Sequence, residues 1–182
     1  MVDIIRKGYQ LDFAEPPLDL GFRSTPLPRN PVKREALWTG VQELLQKRAI
    51  VLVPPGEERM GSYSILFLVQ KASGTFRPVL DLKVRNVALR TSHFKMVTLQ
   101  SIIPMVMKND FMTTLDLQDA YLHIPIAQAD QRHLRFEVGG FHFQFAVLPF
   151  GLKTAPQVFT KVLAPLVALL HQEGIFLHLY LD

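Results

Sequence analysis

The stretch Phe111-Met112-Thr113-Thr114-Leu115-Asp116-Leu117-Gln118-Asp119-Ala120-Tyr121 is an apolar, β-like run that ends in a carboxylate. A second such run closes the chain, Ile175-Phe176-Leu177-His178-Leu179-Tyr180-Leu181-Asp182. A strand end is where an acid can leave a core and meet solvent and cations. Two ions roughly 4 Å apart, held by hard oxygen ligands, can clamp the attacking and leaving oxygens of a phosphoryl transfer. Read alone, Asp116-x-x-Asp119 is better explained as a cap or an ion pair, and Tyr121 as an amphipathic core residue.

Outward from these runs, turn and cap signals divide the chain. Residues 1–30 are irregular and hold Pro16, Pro17, Pro26 and Pro28, which suits an extended arm lying over a neighbouring surface. Asn30 then caps a helix with Pro31 at its first position and Leu37, Val41, Leu44 and Leu45 on one face, fading near Arg48. Residues 63–70 and 75–82 read as strands of a hairpin across Lys71-Ala72-Ser73-Gly74. After a polar stretch, Thr98 opens an apolar helix through Ile102, Ile103 and Val106, with Pro104 in its first turns or bending it. Residues 111–116 are the next strand, and 134–138 with 141–146 form a hairpin over Gly139-Gly140. The longest helix spans 154–173, with a core stripe of Val158, Phe159, Val162, Leu166, Leu169 and Leu170. It is kinked by Pro165 and ended by Gly174. A strand over 175–181 follows, so the order is α+β and not alternating βαβ.

Composition narrows the class. At 182 residues and 48% hydrophobic the chain is long and apolar enough for a core. With no cysteine, disulfides and thiolate zinc sites are excluded, and the six histidines form no ligand pair. No signal-peptide core or membrane-length apolar run is present, which makes cytoplasmic or nuclear residence the expectation. The net charge of +4 is split. Residues 1–109 carry 16 Lys and Arg against 9 Asp and Glu, while 110–182 carry 4 against 7, giving +7 and −3. A basic part suits a phosphate backbone and an acidic part suits metals, although chance drift of surface charge gives the same split.

Lys71 and Arg77 flank the first hairpin's turn, where cations could close over a triphosphate; solvated turn charges are the plainer reading. Gly151 precedes a helix N-terminus, a place that favours anions, and equally fits a loop glycine with positive φ.

Taken in order, these segments resemble a known family. The run from Phe67 through Lys71, Gly74, Arg77 and Leu82 to Asn86 is similar to the fingers hairpin of reverse transcriptases. Leu115-Asp116-Leu117-Gln118-Asp119-Ala120-Tyr121 resembles their first catalytic motif. Leu148-Pro149-Phe150-Gly151-Leu152-Lys153-Thr154-Ala155-Pro156-Gln157-Val158-Phe159 resembles the loop and helix beneath the templating base. Tyr180-Leu181-Asp182 is similar to the start of the Tyr-x-Asp-Asp box. Phe94-Lys95-Met96-Val97-Thr98-Leu99-Gln100-Ser101-Ile102, Asp110-Phe111-Met112 and Asp119-Ala120-Tyr121-Leu122-His123-Ile124-Pro125-Ile126 give it the flavour of DIRS-type (tyrosine-recombinase) retrotransposons.

The resemblance implies a right-hand polymerase: an arm over 1–30, fingers over 31–110, and over 111–182 a partial palm. The palm would be a ferredoxin-like sheet packed on helices. It further implies template-directed deoxynucleotide addition, with Asp116, the Leu117 carbonyl and Asp182 holding two Mg²⁺ (or Mn²⁺). Lys71, Arg77, Asp119, Ala120, Tyr121, Phe150 and Gly151 would bind the dNTP, with the Tyr121 ring excluding a 2′-hydroxyl. Phe150 stands where retroviral enzymes tend to carry glutamine. Partners would be an RNA or DNA template with its primer and, in an intact element, RNase H and recombinase regions of the same polyprotein. The second aspartate of the box is missing, as are thumb and primer grip, so the resemblance implies a fragment, incomplete at its C-terminus and inactive alone. Two other readings are a non-catalytic nucleic-acid-binding relic using residues 1–109, and an RNA-dependent RNA polymerase, against which Tyr121 argues.

Overall fold

A computed structural model describes residues 2–17, 21–92 and 94–180. A short helix α1 (Val2–Lys7) opens the chain, followed by β1 (Ser24–Thr25) and α2 (Pro31–Gln46). Tyr9 and Ala14, which follow α1, are stitched down by backbone bonds. Tyr9 N–H donates to the Pro125 carbonyl at 2.7 Å, and Ala14 N–H to that of Ala88 at 2.8 Å.

Helix α2 forms where its cap predicts. The Asn30 side chain accepts from the N–H groups of Val32 and Lys33 at 2.9 and 3.2 Å. Leu37, Val41 and Leu44 are buried, whereas Leu45 stays 37% exposed. The helix packs tightly on the hairpin, since a Cβ at Gly40 would stand 2.9 Å from the Pro78 ring.

Strand β2 (Ile50–Leu52) follows, then β3 (Leu66–Gln70) and β4 (Phe76–Leu80), antiparallel with Val69 opposite Arg77. Helix α3 (Lys83–Ala88) occupies part of the stretch that reads as merely polar. Thr98 and Ser101 form a capping box for α4 (Leu99–Ile102), which lasts one turn before a 3-10 turn over Ile103–Met105. Pro104 has no N–H with which to continue the ladder, so the longer helix expected through Val106 does not form.

The second hairpin, β5 (Arg135–Val138) and β6 (Phe141–Phe145), turns over Gly139 and Gly140 at φ 60° and 86°, values suited to a primed turn. These strands centre a four-stranded sheet ordered β1-β5-β6-β2, with β1 parallel to β5. Buried Arg135 anchors it: the guanidinium donates to Gln144 Oε1 at 3.0 Å, to the Glu57 and Met60 carbonyls at 3.0 and 2.8 Å, and to the Glu57 carboxylate at 2.5 Å. Helix α5 (Ala155–Gln172) closes the core with Val158 and Phe159.

The mixed α+β class holds, with three corrections. Residues 111–117 belong to no helix or strand, and residues 175–180 likewise; Leu181 and Asp182 lie outside the described residues. Apolar alternation marks a segment fit to pair, but pairing needs a neighbouring edge, and no described strand supplies one to either. The third correction concerns the α5 stripe, of which Leu166 and Leu169 are 48% and 55% exposed. Pro165 sits inside α5 as expected. Among the described residues no helix is long and apolar enough to cross a membrane.

Candidate functional site

The β3–β4 hairpin places Arg77 against the loop ahead of α5. Its guanidinium carbon lies 4.4 Å from the centre of the Phe150 ring. Phe150 in turn sits 5.6 Å from Tyr121, and Tyr121 5.9 Å from Phe159 in an edge-on contact. A cation and three rings thus run continuously from hairpin to helix. A cation–π contact of this kind contributes roughly 0.5–2 kcal/mol as it desolvates. The Arg77 Nε is buried and, among the described residues, has no hydrogen-bond partner, a donor of the kind that phosphate or carboxylate oxygens accept from. Half-burial pushes the Tyr121 hydroxyl above the ordinary tyrosine value of 10.0. Lys71, at the hairpin's turn, is exposed.

The loop carrying Phe150 is fixed from three sides. Gly151 has φ +98°, and a Cβ there would meet the Leu80 carbonyl oxygen at 2.8 Å. Glycine is therefore required by both backbone and space. The Asn86 amide uses both its ends: Nδ2 donates to the Gly151 carbonyl and Oδ1 accepts from Lys153 N–H, each at 2.8 Å. Leu148 N–H donates to the Ile124 carbonyl at 2.9 Å, tying the loop to the turn that follows Tyr121. Asn86 had no role in the sequence reading. It is found only once α3 is seen to face the loop.

The carboxylates are arranged differently. Asp116 lies in the unpaired segment and is exposed. Asp119 adopts a left-handed conformation, φ 53° and ψ 42°, at the head of the 3-10 turn Ala120–His123, yet its side chain does not cap that turn. The carboxylate instead meets Lys47 Nζ at 2.6 Å, so the plainer ion-pair reading of its side chain describes it. Leu117 is 53% exposed and borders an apolar hollow of ≈ 340 Å³ with Ile124, Phe159 and Val162, a lining unsuited to phosphate.

Hard oxygen donors are the right chemistry for Mg²⁺. Among the described residues, however, no three acidic or imidazole side chains converge on a cation position. Asp116 is exposed and Asp119 is paired with Lys47; Asp182 falls outside the described residues. The structure thus brings together Arg77, Phe150, Gly151 and Tyr121, while among the described residues Asp116 joins no group of three potential metal ligands.

Comparison with known proteins adds the family. Residues 69–182 match the reverse transcriptase (RNA-dependent DNA polymerase) family. A retrovirus-related Pol polyprotein from transposon gypsy of Drosophila melanogaster is 32% identical over 106 residues, covering 58% of this chain and 10% of that protein. The transposon Tf2-3 polyprotein of Schizosaccharomyces pombe is 25% identical over 151 residues, 83% of this chain and 11% of its own length. The chain therefore spans about a tenth of the curated relatives it matches. Among solved structures, a prototype foamy virus protease-reverse transcriptase mutant superposes with a TM-score of 0.71 at 21% identity, over 95% of this chain and 22% of that one. A foamy viral protease-reverse transcriptase in complex with double-stranded DNA gives 0.69 at 20% identity, over 94% and 30%.

Proposed function

The chain belongs to the reverse transcriptase family, and from that premise we propose that it carries the nucleotide-facing part of a retroelement polymerase that adds deoxynucleotides on an RNA or DNA template. The observation that carries this reading is the Arg77–Phe150–Tyr121 stack, joined to the Gly151 loop by Asn86. Arg77 and Lys71 would neutralise the β- and γ-phosphates, and the backbone N–H groups of Asp119 and Ala120 would donate to them. Tyr121, wedged between Phe150 and Phe159, would present a ring edge that a 2′-hydroxyl cannot pass. Phe150 and Gly151 would floor the base pocket. The fingers would be 31–110 and the partial palm 111–182, with 1–30 as the arm.

Asp116, the Leu117 carbonyl and Asp182 would hold the metal. A bound pair of Mg²⁺ ions supplies charge neutralisation for attacking and leaving oxygens. Because residues 111–117 lack a strand partner, Asp116 is not held in register, and this chain alone is expected not to polymerise. Retroelement origin is supported by the gypsy and Tf2 relatives. The narrower DIRS-type assignment rests on the sequence runs around Phe94, Asp110 and Asp119; a tyrosine recombinase encoded in the same element would support it, and its absence would remove it. Cytoplasmic or nuclear residence stays part of the proposal.

Two experiments test this function. In the complete polymerase frame, Tyr121→Ala should admit ribonucleotides; unchanged sugar selection would refute the steric role. Primer extension by the chain alone on an RNA template with Mg²⁺, lost in Asp116→Ala, would refute its inactivity. The charge split favours a second reading, a nucleic-acid-binding relic. It requires primer–template binding that weakens with salt and survives Asp116→Ala.

A further inference from the structure

Asp119 is one of the residue types most favoured to cap a helical turn, yet it does not do so here. It stands at the cap position of the 3-10 turn Ala120–His123, in the left-handed region, with its carboxylate 2.6 Å from Lys47 Nζ, 72 positions earlier in the chain. Lys47 is mounted on a stiff support. It is the C-cap of α2, followed by Arg48 at φ 54°. Ala49 N–H returns to the Leu44 carbonyl at 2.8 Å and Arg48 N–H to that of Leu45 at 2.9 Å. This is the paired closure that fixes the direction of the last helical residue. Positive φ thus occurs at one partner of the ion pair, Asp119, and at the residue after the other, Arg48, backbone conformations that surrounding contacts must maintain.

We propose that Lys47 is a positioning residue for the nucleotide site, a role that rests on the nucleotide-binding reading above. Released from Lys47, the Asp119 carboxylate would be left unneutralised beside its own N–H and that of Ala120. Its negative charge would oppose a triphosphate approaching those two N–H groups. Lys47 pairs with the carboxylate and cancels its charge, which leaves the Asp119 and Ala120 N–H groups open to phosphate oxygens. The pair is partly exposed, 42% and 27%, so its effect is local to the turn and not a prop of the whole fold.

The test is equilibrium binding of dATP to the 182-residue chain, with amide exchange read at Ala120 to His123. Lys47→Met should weaken binding about three- to fivefold, the factor an exposed pair's coupling gives, and change exchange in the turn without moving the melting temperature. Lys47→Arg should restore both. In an Asp119→Asn background, Lys47→Met should add nothing. Wild-type binding and exchange in Lys47→Met would overturn the positioning role alone. Absence of dATP binding by the wild-type chain would overturn the nucleotide reading, and the role with it. A fall in melting temperature without rescue by arginine would show Lys47 to be merely structural.

Discussion

Two halves of one site differ in how they are held. The half proposed to face the nucleotide (Arg77, Phe150, Gly151 and Tyr121) is fixed by contacts that converge from β4, α3, the post-Tyr121 turn and α5. The half proposed to hold metal, residues 111–117 with Asp116, lies outside every helix and strand and is unpaired, with Phe111 and Leu115 exposed. The first half is built from short-range side-chain fits, which hold as soon as their few partners fold. The second depends on a ladder, which needs a neighbouring edge before any of its backbone bonds can form. A pocket floor can therefore be complete while the carboxylate beside it is not yet placed.

Perturbing the built half should cost stability in proportion to how deeply each contact is buried. In the four-stranded sheet, Arg135→Met would leave the Glu57 and Met60 carbonyls and Gln144 without their donor; a loss of about 3 kcal/mol in urea unfolding is expected. Gly151→Ala forces both a left-handed alanine and a contact with the Leu80 carbonyl, for about 1–3 kcal/mol. Asn86→Asp keeps the acceptor for Lys153 but turns the Gly151 carbonyl's donor into a repelling oxygen, at about 1–2 kcal/mol by the same unfolding assay.

A smaller effect distinguishes Tyr121. Its hydroxyl is raised above 10.0 by burial, so the unfolded chain ionises first. The stability this contributes is complete below pH 10 and is lost as pH rises through the folded value. Tyr121→Phe should flatten that alkaline decline in thermal melts. The smallest effect belongs to the metal half, where Asp116→Ala should change unfolding stability by no more than about 0.5 kcal/mol. A large loss there would show that the segment is packed after all.

Much of the built half was legible from sequence, because its signals are local. Asn30 with Pro31, the turn at Lys71 to Gly74 and the glycine pair at 139–140 each state a conformation within a few residues. The order of segments carried the family. What could not be read was relational. Nothing in Lys83 to Ala88 marks Asn86 as a two-ended clamp, and nothing in Lys47 names Asp119 as its partner across the chain. The strands expected at 111–116 and 175–181 were inferred from apolar character, which records an affinity for a sheet but not the presence of its edge. The same limit applies to Leu166 and Leu169, whose stripe predicts a covering surface that the described residues do not provide.

Amide hydrogen exchange on the 182-residue chain separates the two halves most directly. The N–H groups of Leu148 and Lys153, both bonded in the structure, should exchange at least about a hundredfold more slowly than those of residues 113–117. Equal protection in the two places would mean that the Asp116 segment is already paired, and would contradict the division of the site into a built half and an unpaired one.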